Sequence, residues 1–203
     1  MSCTGVILAG GGSTRYGGRP KGLEPIGGVR IIDRVAVALR ATSDDLLMIA
    51  NAPEAASWLP GVRVAADVRV GEGALGGLHA ALARAGTDVL LVAWDMPFVS
   101  AALLRMMRAR GEAEGVDAVL PESGGSRRGV EPLCAWYSFE CLGAVTSALD
   151  AGDRRVVAFH NQVRTLRLDE ATVATFGDPA RMFGNVNTPD DLVRAQLEDS
   201  TRG

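Results

Sequence analysis

Short, uninterrupted apolar runs alternate along this chain with longer segments of helical period, and that alternation restricts its fold more than any other feature. Val6-Ile7-Leu8, Leu46-Leu47-Met48-Ile49-Ala50, Val62-Arg63-Val64-Ala65 and Val89-Leu90-Leu91-Val92-Ala93 read as strands. The last is apolar at every position, as a strand covered on both faces must be. Between them, Ile31, Ile32, Val35, Val37, Ala38 and Leu39 form one apolar helical face, and Leu75, Leu78 and Leu82 form another within Leu75 to Ala85. Ser100 is a suitable N-cap for a helix from Ala101 to Arg110. Ala118 to Leu120 and Leu133 to Tyr137 are further strands, and Phe139 to Asp150 a further helix. Thr188-Pro189-Asp190-Asp191 opens the last helix with an N-cap, a proline at the first position and two acids at the positive end of the dipole. The pattern predicts an α/β fold with a doubly wound, mostly parallel, Rossmann-like sheet. No linker or repeat divides the 203 residues, so a single domain is expected over 1–203.

Partner classes narrow on charge. The net charge of -3, with acids and bases interspersed, gives no general attraction to nucleic acid or to an anionic membrane. No apolar stretch reaches the ~18 residues a membrane helix needs, and the N-terminal apolar run is broken by Gly10, Gly11 and Gly12, unlike a signal peptide. Cys3, Cys134 and Cys141 match no zinc spacing and make a disulfide framework unexpected. A cytoplasmic protein is expected, with no nucleic-acid or membrane partner.

In a doubly wound sheet ligands sit outside the carboxyl ends of the strands, which directs attention to the loops after Leu8, Ala50, Ala65 and Ala93. The first, Leu8-Ala9-Gly10-Gly11-Gly12-Ser13-Thr14-Arg15-Tyr16-Gly17-Gly18-Arg19-Pro20-Lys21-Gly22, combines glycines with isolated cations. Inward-facing backbone amides make an anion cradle, and Arg15 and Lys21 add a fork and a mobile point charge. Neither the dinucleotide fingerprint nor the P-loop spacing fits, since Arg15 stands where the third glycine belongs and Lys21 lies between Pro20 and Gly22. Asp95, directly after the central strand, suits Mg²⁺, which takes one or two carboxylates plus substrate phosphates. Asn51 and Asp67 open onto the same crevice as candidates for ribose or base. Asn185 and Asn187, two apart in an extended segment, face the same way. His79 and His160 read as structural or surface histidines. Gly124 to Gly129 reads as an exposed loop, and Arg127-Arg128 and Arg154-Arg155 as solvated basic pairs.

Taken together, the glycine loop with Lys21, Glu72-Gly73-Ala74-Leu75-Gly76-Gly77-Leu78, Asp95-Met96-Pro97-Phe98, Glu131 to Tyr137 and Asn185-Val186-Asn187-Thr188-Pro189-Asp190-Asp191-Leu192 resemble the molybdenum cofactor guanylyltransferases and related NTP transferases. The resemblance runs in order from about Gly5 to Leu192. It departs from the family pattern at Tyr16, Pro20, Ala74 and Ala93-Trp94. It implies a GT-A-type nucleotidyltransferase fold with a nucleotide-binding part over about 1–100 and an acceptor-binding part over about 101–197. It also implies transfer of GMP from GTP to molybdopterin, release of pyrophosphate, a Mg²⁺ cofactor and transient contact with molybdoenzyme maturation proteins. Leu8, Ala9, Gly10, Gly11, Gly12, Ser13, Lys21, Asn51 and Asp67 would then contact the nucleotide, and Asp95 the metal. Lys21, Arg15 and Asp95 would be catalytic, and Arg19, Gly22, Asn185 and Asn187 would face the acceptor. Transfer from CTP, transfer to a sugar phosphate, and a nucleotide-binding regulatory module without catalysis stand as alternatives.

Overall fold

The structure is a computed structural model and describes residues 2–10, 20–126 and 128–201. Its centre is a seven-stranded sheet. In chain order the strands and main helices are β1 (Cys3–Leu8), the hairpin β2 (Pro25–Ile26) and β3 (Val29–Arg30), α1 (Ile31–Arg40), β4 (Asp45–Ile49), β5 (Arg63–Ala65), α2 (Gly73–Ala85) and β6 (Asp88–Ala93). Then come α3 (Ala101–Glu114), β7 (Ala118–Pro121), β8 (Cys134–Tyr137), α4 (Cys141–Asp150), β9 (Thr165–Leu168), the short α5 (Glu170–Ala174) and α6 (Pro179–Met182), and α7 (Pro189–Ser200). The order across the sheet is β5-β4-β1-β6-β8-β7-β9. All neighbours are parallel except β8, which runs antiparallel to both β6 and β7.

Both faces of the sheet are covered, which is why β1, β4 and β6 read as continuous apolar runs. Alternate residues of β1 serve opposite layers. Ile7 joins the core under α1 and α3, with Val35, Leu39, Leu103 and Met107. Val6 and Leu8 join the core under α2 and α4, with Leu78, Leu82 and Val145. Each such fully buried aliphatic side chain contributes roughly 1.5–3 kcal/mol. Gly77 lets α2 press onto β1, because an added Cβ there would lie 2.5 Å from Leu8 Cδ1.

A third, smaller core of Ile26, Ile31, Val186 and Ala195 joins the hairpin to α7. Arg34 clamps the same seam, donating to both carboxylate oxygens of Asp199 (3.0 and 2.8 Å) and to the Ile26 carbonyl (2.6 Å). The C-terminal helix is thereby fastened to the segment that follows the glycine loop.

Several local expectations are revised. Between Gly22 and Ile31, where no element was expected, lies a two-stranded hairpin, turned by Gly27 and Gly28 at φ 57° and 79°, values that suit glycine and a tight hairpin turn. Val37, placed by its spacing on the buried face of α1, is 65% exposed. α3 continues to Glu114, and α4 starts at Cys141 rather than Phe139. The Gly124–Gly129 segment is a loop with Gly124, Gly125, Arg128 and Gly129 exposed, as expected, and it is closed at its base by a Glu122–Val130 bridge and by the Ser123 amide donating to the Gly129 carbonyl. Strand β9 had not been anticipated. Among the described residues no helix is long and apolar enough to cross a membrane.

Candidate active site

α1 and α2 pack on opposite faces of the sheet, so the winding reverses between β1 and β6, where a crevice is expected at the carboxyl ends. A cleft of about 510 Å³ opens there. Leu8 and Gly10 come from the end of β1, Ile49 to Asn51 from β4, Asp67 from the loop after β5, and Ala93 to Asp95 from β6. Leu133, Asn185 and Asn187 close the remaining side.

Asp95 is fixed by its surroundings. The strand end is held by the Trp94 amide donating to the Leu8 carbonyl (3.2 Å) and the Ala93 amide to the Leu133 carbonyl (2.8 Å). From the C-terminal segment, the Val186 amide donates to the Asp95 carbonyl (2.9 Å), which sets Asn185 and Asn187 beside Asp95. Asn187 is anchored in turn by the capping box of α7. Its amide and that of Thr188 donate to Asp191 Oδ2 (3.1 and 2.9 Å), while the Asp191 amide donates to Thr188 Oγ1 (3.2 Å). Burial opposes the charge on Asp191, but the hydrogen bonds from Thr188 and Asn187 outweigh it and hold the carboxyl below its ordinary range.

Lys21 completes the group. It opens a short 3-10 turn, Lys21–Leu23, after Pro20. Its ammonium donates to Asp95 Oδ2 at 2.5 Å and to Asn187 Oδ1 at 2.7 Å. The Lys21 and Asp95 side chains are only 14% and 11% exposed, so the pair is largely shielded from water. Lys21 therefore stands behind one wall of the cleft, bonded to two residues that line it, Asp95 and Asn187, without lining it itself. On another wall Asn51 and Asp67 bind each other: Asn51 Nδ2 donates to Asp67 Oδ2 (2.7 Å), and the Asp67 amide donates to Asn51 Oδ1 (2.9 Å). That reciprocal pair fixes the carboxylate and leaves its second oxygen available to a ligand.

Gly71, Gly73, Ala74 and Gly77, around the start of α2, also line the cleft; all but Gly71 belong to the Glu72–Leu78 segment that carries part of the family resemblance, without a site role having been given to them. Among the described residues no side chain caps this helix, and its start lines the cleft, an arrangement suited to anions. Glycines at 71 and 73 immediately before a helical pattern are the sequence clue. Trp94 and Leu133, named above only within the family comparison and given no site role, also line the cleft.

Other expected positions fall elsewhere. Gly11, Gly12, Ser13, Arg15 and Arg19 lie outside the described residues. Ala9 is buried, and its amide donates to the Ile49 carbonyl (2.9 Å). Gly22 does not line the cleft, because its Cα lies against the Trp94 indole, and an added Cβ would come within 2.4 Å of Cε3. His79 is buried on α2 and His160 packs edge-on against Phe159; burial lowers the pKa of each, that of His160 to about 4. Neither lines the cleft. Arg154 pairs with Glu72, and Arg155 with Asp153. The three cysteines are buried, and desolvation raises all three thiol pKa values. Among the described residues no three His, Cys, Asp or Glu side chains are grouped to hold a metal by themselves.

A family model for the MobA-like NTP transferase domain matches residues 5–165. A protein of Pelotomaculum thermopropionicum named "Probable molybdenum cofactor guanylyltransferase" is 37% identical, over 100% of this chain and 97% of its own length. The crystal structure of molybdopterin-guanine dinucleotide biosynthesis protein A from Archaeoglobus fulgidus is similar with a TM-score of 0.82, at 26% identity and covering 98% of this chain and 99% of that one. Rv0371C of Mycobacterium tuberculosis, solved in complex with manganese, is similar with a TM-score of 0.66 at 26% identity, over 98% of this chain and 99% of that one. The cleft at the β1–β6 switch point and these likenesses agree: the chain belongs to the MobA-like NTP transferase family of nucleotidyltransferases.

Proposed function

We propose that this chain transfers a GMP unit from GTP to the terminal phosphate of molybdopterin and releases pyrophosphate. The observation that carries the reading is the Lys21–Asp95–Asn187 cluster, two members of which line a cleft large enough for a nucleotide. The name carried by its relatives supplies the substrates. An acceptor phosphate oxygen attacks the α-phosphorus in line, the bond from that phosphorus to the β-phosphate bridging oxygen breaks, and pyrophosphate leaves. Because two anions meet, the chain's task is positioning and charge neutralisation. Lys21, with Arg15 from the glycine loop, carries the charge that grows on the leaving group. The amides of the glycine loop and of the start of α2 receive the phosphates, Asn51 and Asp67 hold the ribose or base, and Asn185 and Asn187 face the acceptor. Residues 1–100 thus form the nucleotide part, and 101–197 lend the acceptor side.

Asp95 fits a divalent ion: it is a hard oxygen donor on the cleft wall, and Mg²⁺ needs few protein carboxylates when phosphates and water complete its shell. Mg²⁺, when bound, would neutralise the triphosphate and the departing pyrophosphate. Cytoplasmic residence and passage of the product to molybdoenzyme maturation proteins by transient contact belong to the same proposal.

Pyrophosphate release from GTP, CTP, UTP and ATP, each with Mg²⁺ and molybdopterin, tests it. GTP alone should support turnover. Preference for CTP would transfer the reading to cytidylyl chemistry, and nucleotide binding without release would reduce the chain to a regulatory module.

A further inference from the structure

Two consecutive residues of the Lys21 turn meet two consecutive residues of the β6 loop. Lys21 bonds to Asp95 at 2.5 Å, and next to it Gly22 packs against the six-membered ring of Trp94. A Cβ at Gly22 would fall 2.4, 2.8 and 3.1 Å from Cε3, Cδ2 and Cζ3 of that ring, closer than side-chain carbons pack. The indole cannot give way easily. Its other neighbour is Trp58, stacked with centroids 5.2 Å apart and planes 23° apart, and both rings are at least 95% buried. Its backbone is held to Leu8. Trp94 Nε1 has no hydrogen-bond partner among the described residues, so no polar contact there accounts for so large a side chain at the cleft.

A lysine on four rotatable bonds can keep one ion pair in many arrangements, because the ammonium is a point charge. A second, apolar contact one residue away removes that freedom. We infer that Trp94 is a positioning residue for Lys21: the indole is a rigid seat, stiffened by Trp58, that fits only a glycine at position 22 and so sets the register of the lysine against Asp95. The inference rests on the reading that Lys21 and Asp95 act in nucleotidyl transfer. It assigns Gly22 to this seat and not to contact with the acceptor.

The test is a pair of mutant cycles in the full chain, read as pyrophosphate release from GTP with Mg²⁺ and molybdopterin and as the dissociation constant for GTP–Mg²⁺. Gly22→Ala should lower kcat at least tenfold, and Gly22→Ala/Trp94→Leu should return to the level of Trp94→Leu alone, since the smaller side chain leaves room for the methyl group. A role for Gly22 at the acceptor predicts no such recovery. Trp94→Leu alone should lower kcat several-fold in the native background and by less than twofold in a Lys21→Ala background, because a seat has no effect without its lysine. Should Gly22→Ala fail to fold, the Trp94→Leu and Lys21→Ala cycle still decides the matter. Equal losses from Trp94→Leu with and without Lys21, or a double mutant at 22 and 94 no better than Gly22→Ala, would overturn the inference. If the unmutated chain released no pyrophosphate, the reading of the site would fail instead, and the seat would still be tested by the same two cycles on GTP–Mg²⁺ affinity.

Discussion

The Lys21–Asp95 pair makes a prediction in which stability and activity must be read together. Consider Lys21→Met, Asp95→Asn and the double variant. The ammonium lies 2.5 Å from one carboxylate oxygen, and with the charge shared over both oxygens the charge centres are about 3.5 Å apart. At an effective dielectric of ~20 the attraction is then about 5 kcal/mol. Desolvation of two side chains that are 14% and 11% exposed takes back part of this, leaving a coupling of about 2–3 kcal/mol. Each single variant strands one charge against neutral neighbours and should unfold about 2–4 kcal/mol more easily in urea. The double variant should be no worse than either single, since neither charge remains. Turnover should behave differently, falling at least a hundredfold in all three proteins, because Lys21 and Asp95 face substrate charge that the substitutions cannot meet. Four urea transitions at pH 7 and four initial rates complete the measurement. If the two stability losses add to within ~0.5 kcal/mol, the pair is not formed in solution, and the geometry on which the proposed chemistry stands is wrong.

Three further outcomes are expected. Asp67→Ala should raise the dissociation constant for GTP about tenfold, with a smaller change in kcat, since it removes a binding group distant from the reacting phosphorus; calorimetric titration reads this, and an unchanged affinity refutes the assignment. Chelation by EDTA should abolish pyrophosphate release and added Mg²⁺ should restore it, whereas full turnover in EDTA would remove Asp95 from its proposed duty. His160 has a folded pKa of about 4, depressed by burial and by Arg167, against an ordinary 6.5. The unfolded chain therefore binds the proton more readily, so His160 contributes stability above pH 6.5 that is lost as the pH falls towards 4. His160→Leu should flatten that part of the melting-temperature profile; an unaltered slope would mean His160 is not shielded as described.

What could be read in advance follows a physical divide. β1, β4 and β6 were legible because a strand buried on both faces needs nothing but apolar residues, and the α7 start was legible because a capping box is local to four residues. β9 was not, since Thr165-Leu166-Arg167-Leu168 is an edge strand with one fully buried side chain, Leu168, and its pairing partner β7 lies some 45 residues earlier. The direction of β8 was equally hidden: Leu133 to Tyr137 announces burial, but the antiparallel sense comes from the Glu122–Val130 bridge that turns the chain back. In the site, the two-residue spacing of Asn185 and Asn187 placed both on one side correctly. That Asn51 and Asp67 bind each other depends on the adjacency of β4 and β5, which no local pattern encodes.

Substrate charge explains why such a site should be assembled from distant pieces. A triphosphate must be held by several donors at once, yet each cation brought into an empty cleft needs an acceptor until the ligand arrives. Lys21 has two acceptors, Asp95 and Asn187, that lie 74 and 166 residues away. Asn187 is neutral, and so it can hold the ammonium without offering a second full charge that would repel phosphate. Its own position is secured by Asp191, whose carboxylate is occupied by the Asn187 and Thr188 amides. The acid that anchors the segment is thereby kept to its backbone, and the amide side chain is what meets the lysine. An Asn187→Asp variant separates these roles: it should retain the Lys21 contact and the fold, while adding a negative charge beside the phosphates. A weakened affinity for molybdopterin with unchanged urea stability is the expected result, and an unchanged affinity would show that Asn187 does not face the acceptor.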